Sequence, residues 1–159
     1  KIYDINDSLT FDIILLDSFS PQKCPELWSE QFIFLLSSKL SLEGRLITYS
    51  SAASVRASLK RAGLNIYSIS PRKQNQKKWS SGTVATRKQL NEKFISKNCQ
   101  LKNLSTREIE HLNTRSSIPY RDPTGRGISK EIISNREIEQ SKSQLIKTSY
   151  WRKRWNTAQ

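Results

Sequence analysis

Asp17 closes an apolar run, Phe11 to Leu16, and is followed at once by Ser18, Phe19, Ser20 and Pro21. A carboxylate at the end of a strand reaches the rim where open α/β sheets bind their ligands. There it can orient an amine, accept a proton from it, or hold a hydroxyl, and general-base help of this kind is worth about 10²–10⁴ in rate. An Asp beside Ser and Pro is equally a turn former, so the spacing alone leaves both roles open. Phe19 stands in the turn, where an aromatic ring can stack on a flat base for roughly 1–3 kcal/mol. Trp28 falls on the apolar stripe of the helical pattern that follows and is expected in the core. Lys23 can meet a phosphate or stay solvated.

Thr48, Tyr49 and Ser50 end the next strand pattern at the same rim, so their hydroxyls are candidates to line a pocket with Asp17, Ser20 and Pro21. Ser50 serves as well for capping the helix after it. Arg56 lies near that rim on a helical pattern, facing either the pocket or solvent. His111 is the single histidine and sits in a charged helical stretch. Metal sites need several ligands at set spacings, and none occur here, so no metal is expected. No Ser-His-Asp or Cys-His arrangement is present either.

These residues need a sheet to carry them. Phe11 to Asp17 reads as a strand apolar enough to be buried on both faces of a parallel sheet. Pro25 suits the first turn of a helix, and Trp28, Phe32, Leu35, Leu36 and Leu40 recur at helical spacing. Gly44 ends that unit, and Arg45 to Tyr49 forms a second strand. Ser50 or Ser51 caps a helix bearing Val55 and Leu59, which stops at Gly63. Leu64 to Ile69 is a third strand. A lysine-rich loop leads to Gly82 and a short fourth strand near Thr83 to Thr86. The third and fourth strands lack a helical crossover, so they are expected to pair antiparallel, at one edge. The order is α/β with a doubly wound, mostly parallel sheet, and an antiparallel last strand is characteristic of class I methyltransferases.

The chain has 159 residues and a net charge of +13. Residues 1–70 hold seven Lys/Arg against seven Asp/Glu, whereas residues 71–159 hold twenty against seven and carry the whole excess. A neutral half joined to a basic half suggests a folded core with a surface for a polyanion, and nucleic acid gains affinity by counterion release. Arg72, Lys73, Lys77 and Lys78 beside Trp79, then Arg115, Tyr120, Arg121 and Arg126, then Trp151, Arg152, Lys153, Arg154 and Trp155 interleave cations with aromatics, as nucleic-acid surfaces do. A solubilising basic tail is the plainer reading. Beyond about Gln89 the chain is polar, with helical patterns near Thr106–Leu112 and Ser129–Ser141 around the turn-rich IPYRDPTGRG. That segment is too poor in apolar residues to fold alone and is expected to wrap the core or order on a partner. The expected division is therefore residues 1–88 and a basic extension, 89–159. No run approaches the ~18 apolar residues of a membrane helix. Cys24 and Cys99 form no CxxC pair, which favours a reducing cytoplasm.

The stretch LDSFSPQKCPELW, residues 16–28, resembles the signature LD-(P/G)-F-(S/A)-P-x-K-N-P-(E/D)-x-W of the methyltransferase domain of tRNA 5-methylaminomethyl-2-thiouridine biosynthesis enzymes. Leu16, Asp17, Phe19, Ser20, Pro21, Lys23, Pro25, Glu26 and Trp28 match it. Gly44 to Gly63 is similar to that family's next strand and helix, through Gly44, Leu46, Thr48, Val55, Arg56, Leu59, Ala62 and Gly63. IPYRDP, residues 118–123, looks like a segment of stand-alone members. Ser18 and Cys24 depart from the pattern, and the family's G-x-K-R-x-M segment is degraded to RKQNQKKWSSGTVA.

The resemblance implies the carboxyl-terminal half of a Rossmann-like class I methyltransferase sheet, with the basic, partly helical extension behind it. It implies S-adenosylmethionine as cofactor, its main loop expected upstream of residue 1, and a fragment expected to be inactive by itself. It implies tRNA as partner and methyl transfer to the aminomethyl nitrogen of a wobble uridine, with Asp17 orienting the amine, the Phe19 turn holding the base and the basic half gripping the backbone. Many relatives carry a fused flavin-dependent oxidase domain, and no dinucleotide fingerprint occurs among these residues. Two alternatives stand beside this one: a non-catalytic RNA-binding protein on a decayed methyltransferase fold, and a methyltransferase of another amine.

Overall fold

The computed structural model describes residues 8–71, 80–97 and 100–156. The lysine-rich loop with Arg72, Lys73, Lys77, Lys78 and Trp79, and also Cys99, lies outside the described residues. The strands are β1 (Phe11–Leu16), β2 (Leu40–Thr48), β3 (Asn65–Ile69), β4 (Gly82–Thr86) and β5 (Leu101–Lys102). The helices are α1 (Glu30–Ser38), α2 (Ala53–Arg61), α3 (Glu92–Lys97), α4 (Thr106–Leu112), α5 (Ser129–Lys142) and α6 (Thr148–Asn156), with 3₁₀ turns at Pro25–Trp28 and Arg115–Ser117.

The sheet order is β1-β2-β4-β3-β5. β1 and β2 pair parallel, while β4 runs antiparallel to both β2 and β3. The antiparallel pairing of β3 with β4 is as the missing crossover requires. Its position is not: β4 lies between β2 and β3 instead of at an edge. All five β4 residues are buried, because strands flank it on both sides and its side chains meet cover above and below. A strand placed between two others has both of its hydrogen-bonding edges satisfied.

β1 also differs from expectation. Ile14 and Leu16 face the core, but Ile13 and Leu15 are 64% and 71% exposed. Helices α1 and α2 cover one face through Ile33, Leu36, Val55 and Leu59. On the other face the described cover is α3, whose Phe94 ring lies 5.0 Å from the Arg45 guanidinium, over β2 and not over β1.

The helical pattern from Trp28 breaks at Ser29, whose hydroxyl accepts from Phe32 N and caps α1. Leu40 is already the first residue of β2, so Gly44 sits inside that strand. A side chain at 44 would meet Phe11 O at 2.9 Å, where the β1–β2 register shifts between Phe11 and Ile13. Gly63, with φ +81°, ends α2 in the left-handed region that glycine tolerates. Neither Ser50 nor Ser51 is the cap of α2; Ala52 holds that position without a side-chain bond.

The basic extension wraps the sheet's helical face and shares its core: Tyr120 and Ile132 belong to the same apolar cluster as Leu16 and Trp28. Tyr120 O accepts from Glu30 N at 2.8 Å, Asp122 N donates to Gln31 Oε1 at 2.9 Å, and Ser129 Oγ donates to Glu26 Oε2 at 3.0 Å. Helix α4 spans Thr106–Leu112 as its pattern predicts, opened by a capping box of Ser105 and Glu108. Helices α3 and α6 carry little sequence signal, because their short apolar patterns are diluted by charge.

Candidate functional site

At the carboxyl end of β1 the chain turns through Asp17–Cys24, and two side chains pin the turn. Trp28 Nε1 donates to Phe19 O at 2.6 Å, and Tyr49 Oη donates to Ser18 O at 2.9 Å. The two rings meet edge to face, centroids 5.9 Å apart. Ser20 O accepts from Lys23 N and Cys24 N at 2.8 and 3.1 Å, closing the turn. With its backbone tied inward, the turn presents the Asp17 carboxylate and the Phe19 ring (75% exposed) to solvent. An open cavity of about 620 Å³ lies beside them, lined by Asp17, Ser18, Phe19, Ser20, Cys24, Leu27 and Tyr49.

Burial, and then the Asp17 charge, pushes the Tyr49 hydroxyl up, so it stays protonated and keeps donating to Ser18 O. Cys24 Sγ donates to Glu26 Oε1 at 3.2 Å. That bond first, then burial and the Glu26 charge, raises the thiol above its ordinary range. Cys24 forms one wall of the cavity.

Of the residues singled out in the sequence, Asp17, Phe19, Ser20 and Tyr49 converge on this cavity. Pro21 and Lys23 belong to the same turn but do not line it, and Lys23 is exposed. Thr48 and Ser50 are buried. Thr48 Oγ1 accepts from Ser50 N and Ser50 Oγ from Ala52 N, at 3.1 and 3.3 Å, so these hydroxyls shape the strand–helix junction instead of a pocket.

Arg56 faces neither the pocket nor solvent. It is 1% exposed, and its guanidinium donates to Thr83 Oγ1 (2.8 Å), Glu108 Oε1 (2.9 Å), Ser80 Oγ (3.0 Å), Gly82 O (3.1 Å) and Ser68 Oγ (3.4 Å). A helical arginine can turn inward only where enough acceptors wait for it. Here they come from β3, β4, α4 and Ser80 just before β4, which local spacing does not reveal.

Arg121 is tied to the fold but stays exposed. It pairs with Glu30, and with Glu139 at 2.9 Å, and so helps hold the extension to α1. Arg152, Lys153 and Arg154 are exposed on α6, with Arg154 reaching Glu110 at 3.2 Å. Trp151 and Trp155, read from sequence as surface aromatics, turn toward α4: Trp151 is 8% exposed, and their indole N–H groups donate to Arg107 O and Glu110 Oε2. Leu27 carried no sequence signal for the cavity. Among the described residues, no group of three or more His, Cys, Asp or Glu could hold a metal, and no helix is long and apolar enough to cross a membrane.

Residues 1–88 match the family model described as S-adenosyl-L-methionine-dependent methyltransferase. The chain belongs to that family. A curated relative from Azoarcus sp. (strain BH72), the tRNA 5-methylaminomethyl-2-thiouridine biosynthesis bifunctional protein MnmC, is 44% identical over 55 residues, 35% of this chain and 9% of its own. The protein of that name from Hahella chejuensis (strain KCTC 2396) is 37% identical over 59 residues, 37% of this chain and 9% of its own. Among solved structures, MnmC2 from Aquifex aeolicus superposes with a TM-score of 0.74 at 26% identity, covering 89% of this chain and 42% of that one. The chain thus spans under a tenth of the curated relatives it matches. The likeness to the solved MnmC2 structure, covering 89% of this chain, runs past residue 88 and takes in most of the basic extension.

Proposed function

We propose that this methyltransferase chain supplies the acceptor side of an N-methyltransferase acting on the aminomethyl group of a modified wobble uridine in tRNA. The observation that carries the reading is the pinned turn, which sets an exposed carboxylate and an exposed aromatic ring side by side on a cavity of about 620 Å³. The printed names of the Azoarcus and Hahella relatives support the substrate class. S-adenosylmethionine would supply an electrophilic methyl group. The described residues hold no glycine-rich strand-to-helix turn to cradle it, so we place its main loop in a segment outside them.

What these residues do concerns the amine. An alkylamine with a pKa near about 10 is mostly protonated at neutral pH and has no free lone pair. Asp17 accepts a hydrogen bond from the ammonium, draws the proton away and leaves the lone pair aimed at the donor. Phe19 stacks on the uracil ring, and the Trp28 and Tyr49 anchors keep both groups in register, so that positioning supplies much of the acceleration. Arg152, Lys153 and Arg154, with Lys23 nearer the site, meet phosphates.

The assay, run on a complete protein that carries this chain together with its cofactor loop, is transfer of labelled methyl from S-adenosylmethionine to tRNA bearing the aminomethyl uridine. Asp17→Asn is expected to lower the rate by about 10²–10⁴ with tRNA affinity unchanged. Unchanged transfer by that variant removes Asp17 from the chemistry. Wild-type transfer to a free small amine without tRNA, or tight tRNA binding without any transfer, overturns the substrate assignment.

A further inference from the structure

The packing of α6 on α4 leaves a second cavity, of about 300 Å³, remote in sequence from the Asp17 turn. Its floor is Trp151, which stacks on His111 with centroids 4.1 Å apart and planes 16° from parallel. Its walls are fixed. Trp151 Nε1 donates to Arg107 O at 3.1 Å, Trp155 Nε1 donates to Glu110 Oε2 at 2.8 Å, and Arg115 N donates to Ile146 O at 2.9 Å. Ser116 and Thr148 share a hydrogen bond of 2.6 Å between their hydroxyls. The opening is formed by Tyr150 (65% exposed) and Ile146 (58% exposed), with Asn113 at the end of α4 beside them.

We propose that this cavity binds one unstacked base of an RNA strand. The inference rests on the tRNA reading above and adds a second contact to it, away from the methylated nucleotide. A flat base needs an exposed ring face, an apolar wall and a group that both donates and accepts, which Tyr150, Ile146 and the Asn113 amide supply. Its phosphates need cations: Lys153 and Arg154 stand three and four positions after Tyr150 on its side of α6, both exposed, and Arg154 also lines the cavity. The two tryptophans of α6 are committed to packing, with Arg107 stacked against both. Tyr150 is therefore the aromatic that α6 presents outward. The lining is mostly apolar, and its one carboxylate, Glu110, is paired with Arg154 at 3.2 Å; a pocket at the low end of the ~300–1,000 Å³ range suits a base better than a larger ligand. The surrounding positive charge selects a polyanion.

The test is fluorescence anisotropy of the 159-residue chain with a labelled single-stranded RNA octamer and a blunt RNA duplex. Tyr150→Ala is expected to weaken single-strand binding about 5- to 150-fold and to leave duplex binding unchanged. Tyr150→Phe keeps wild-type affinity. An octamer carrying 5-iodouridine is expected to crosslink to the peptide containing Tyr150. Equal affinity of Tyr150→Ala and wild type, or equal losses for single strand and duplex, overturns the pocket while the tRNA reading stands. Competition by a poly-glutamate peptide as effective as that by RNA also overturns the pocket. Failure of the wild type to bind any RNA defeats the tRNA reading, and the pocket with it.

Discussion

Replacing Glu108 by alanine strips Arg56 of its counter-charge in a place where water cannot substitute. The two side chains are 1% and 0% exposed and meet at 2.9 Å. Removing one partner of such a pair costs about 3–5 kcal/mol, because the other is left charged and buried. The same substitution removes the carboxylate that accepts from Ser105 N and Ser105 Oγ at 2.8 and 2.7 Å, a cap worth ~1 kcal/mol within that total. A domain of ordinary stability, about 5–15 kcal/mol, loses about a fifth or more of it. With a urea slope of about 2 kcal/mol/M the unfolding midpoint falls by about 2 M.

The double variant Arg56→Leu, Glu108→Leu recovers much of the loss. The hydroxyls that Arg56 served keep partners: Thr83 Oγ1 donates to Ser50 O at 2.7 Å, Ser68 Oγ to Ser80 Oγ at 2.9 Å, and Ser80 Oγ to Gly82 O at 2.9 Å. Urea unfolding followed by tryptophan fluorescence measures Glu108→Ala, the single variants Arg56→Leu and Glu108→Leu, and the double variant, since the chain has four tryptophans. A midpoint loss below about 0.5 M for Glu108→Ala, or a double variant as unstable as the two single losses added, would refute the reasoning. Acid probes the same pair. Burial pushes the Glu108 carboxyl up, but hydrogen bonds from Ser68 and Ser105 and the Arg56 charge outweigh it and leave it below its ordinary value of 4.5. The pair's contribution is therefore full above that value and lost as pH falls through the folded-state one.

Burial first, then the charges of Arg56, Arg152 and Arg107, pushes His111 down from 6.5 to about 4. The unfolded chain takes up that proton before the folded one does, so stability is full above pH 6.5 and falls between there and about 4. His111→Phe keeps the stack on Trp151 and flattens that part of the stability–pH curve; an unchanged curve shows that His111 does not cause the loss. Gly82→Ala places a Cβ 2.4 Å from Thr48 O, across the β2–β4 pairing. It is expected to cost about 1–3 kcal/mol, read as a lowered thermal midpoint, and a midpoint within a degree of wild type rejects the clash.

The extent of what was legible differs between the turn and its surroundings. Asp17 and Phe19 were readable because an apolar run, an acid and a Ser-Pro turn are adjacent in the chain, and adjacency fixes where a strand must end. The termination of α2 at Gly63 and the antiparallel pairing of β3 with β4 were readable for the same reason: each depends on a few neighbouring residues or on the absence of a crossover. Arg56 was misplaced because helical periodicity says which residues share a face, not which acceptors 12 to 52 positions away will meet them. Trp151 and Trp155 were misplaced because their interleaving with Arg and Lys looks the same whether the rings face a partner or a neighbouring helix.

By itself, then, the chain's order of residues determined the strand–turn–helix unit that carries the Asp17 carboxylate, the balance of charge between its halves, and the resemblance that led to the methyltransferase family. Only the tertiary structure decided that β4 inserts between β2 and β3 and that Ile13 and Leu15 remain exposed on β1. It also decided that Tyr49 reaches across from β2 to pin Ser18, that Arg56 locks the extension to the sheet, and that Tyr150 is the outward ring of α6. Local sequence fixes backbone preference over one or two turns, but burial is a competition among all apolar and polar groups of the chain, and its outcome exists only when distant segments pack together.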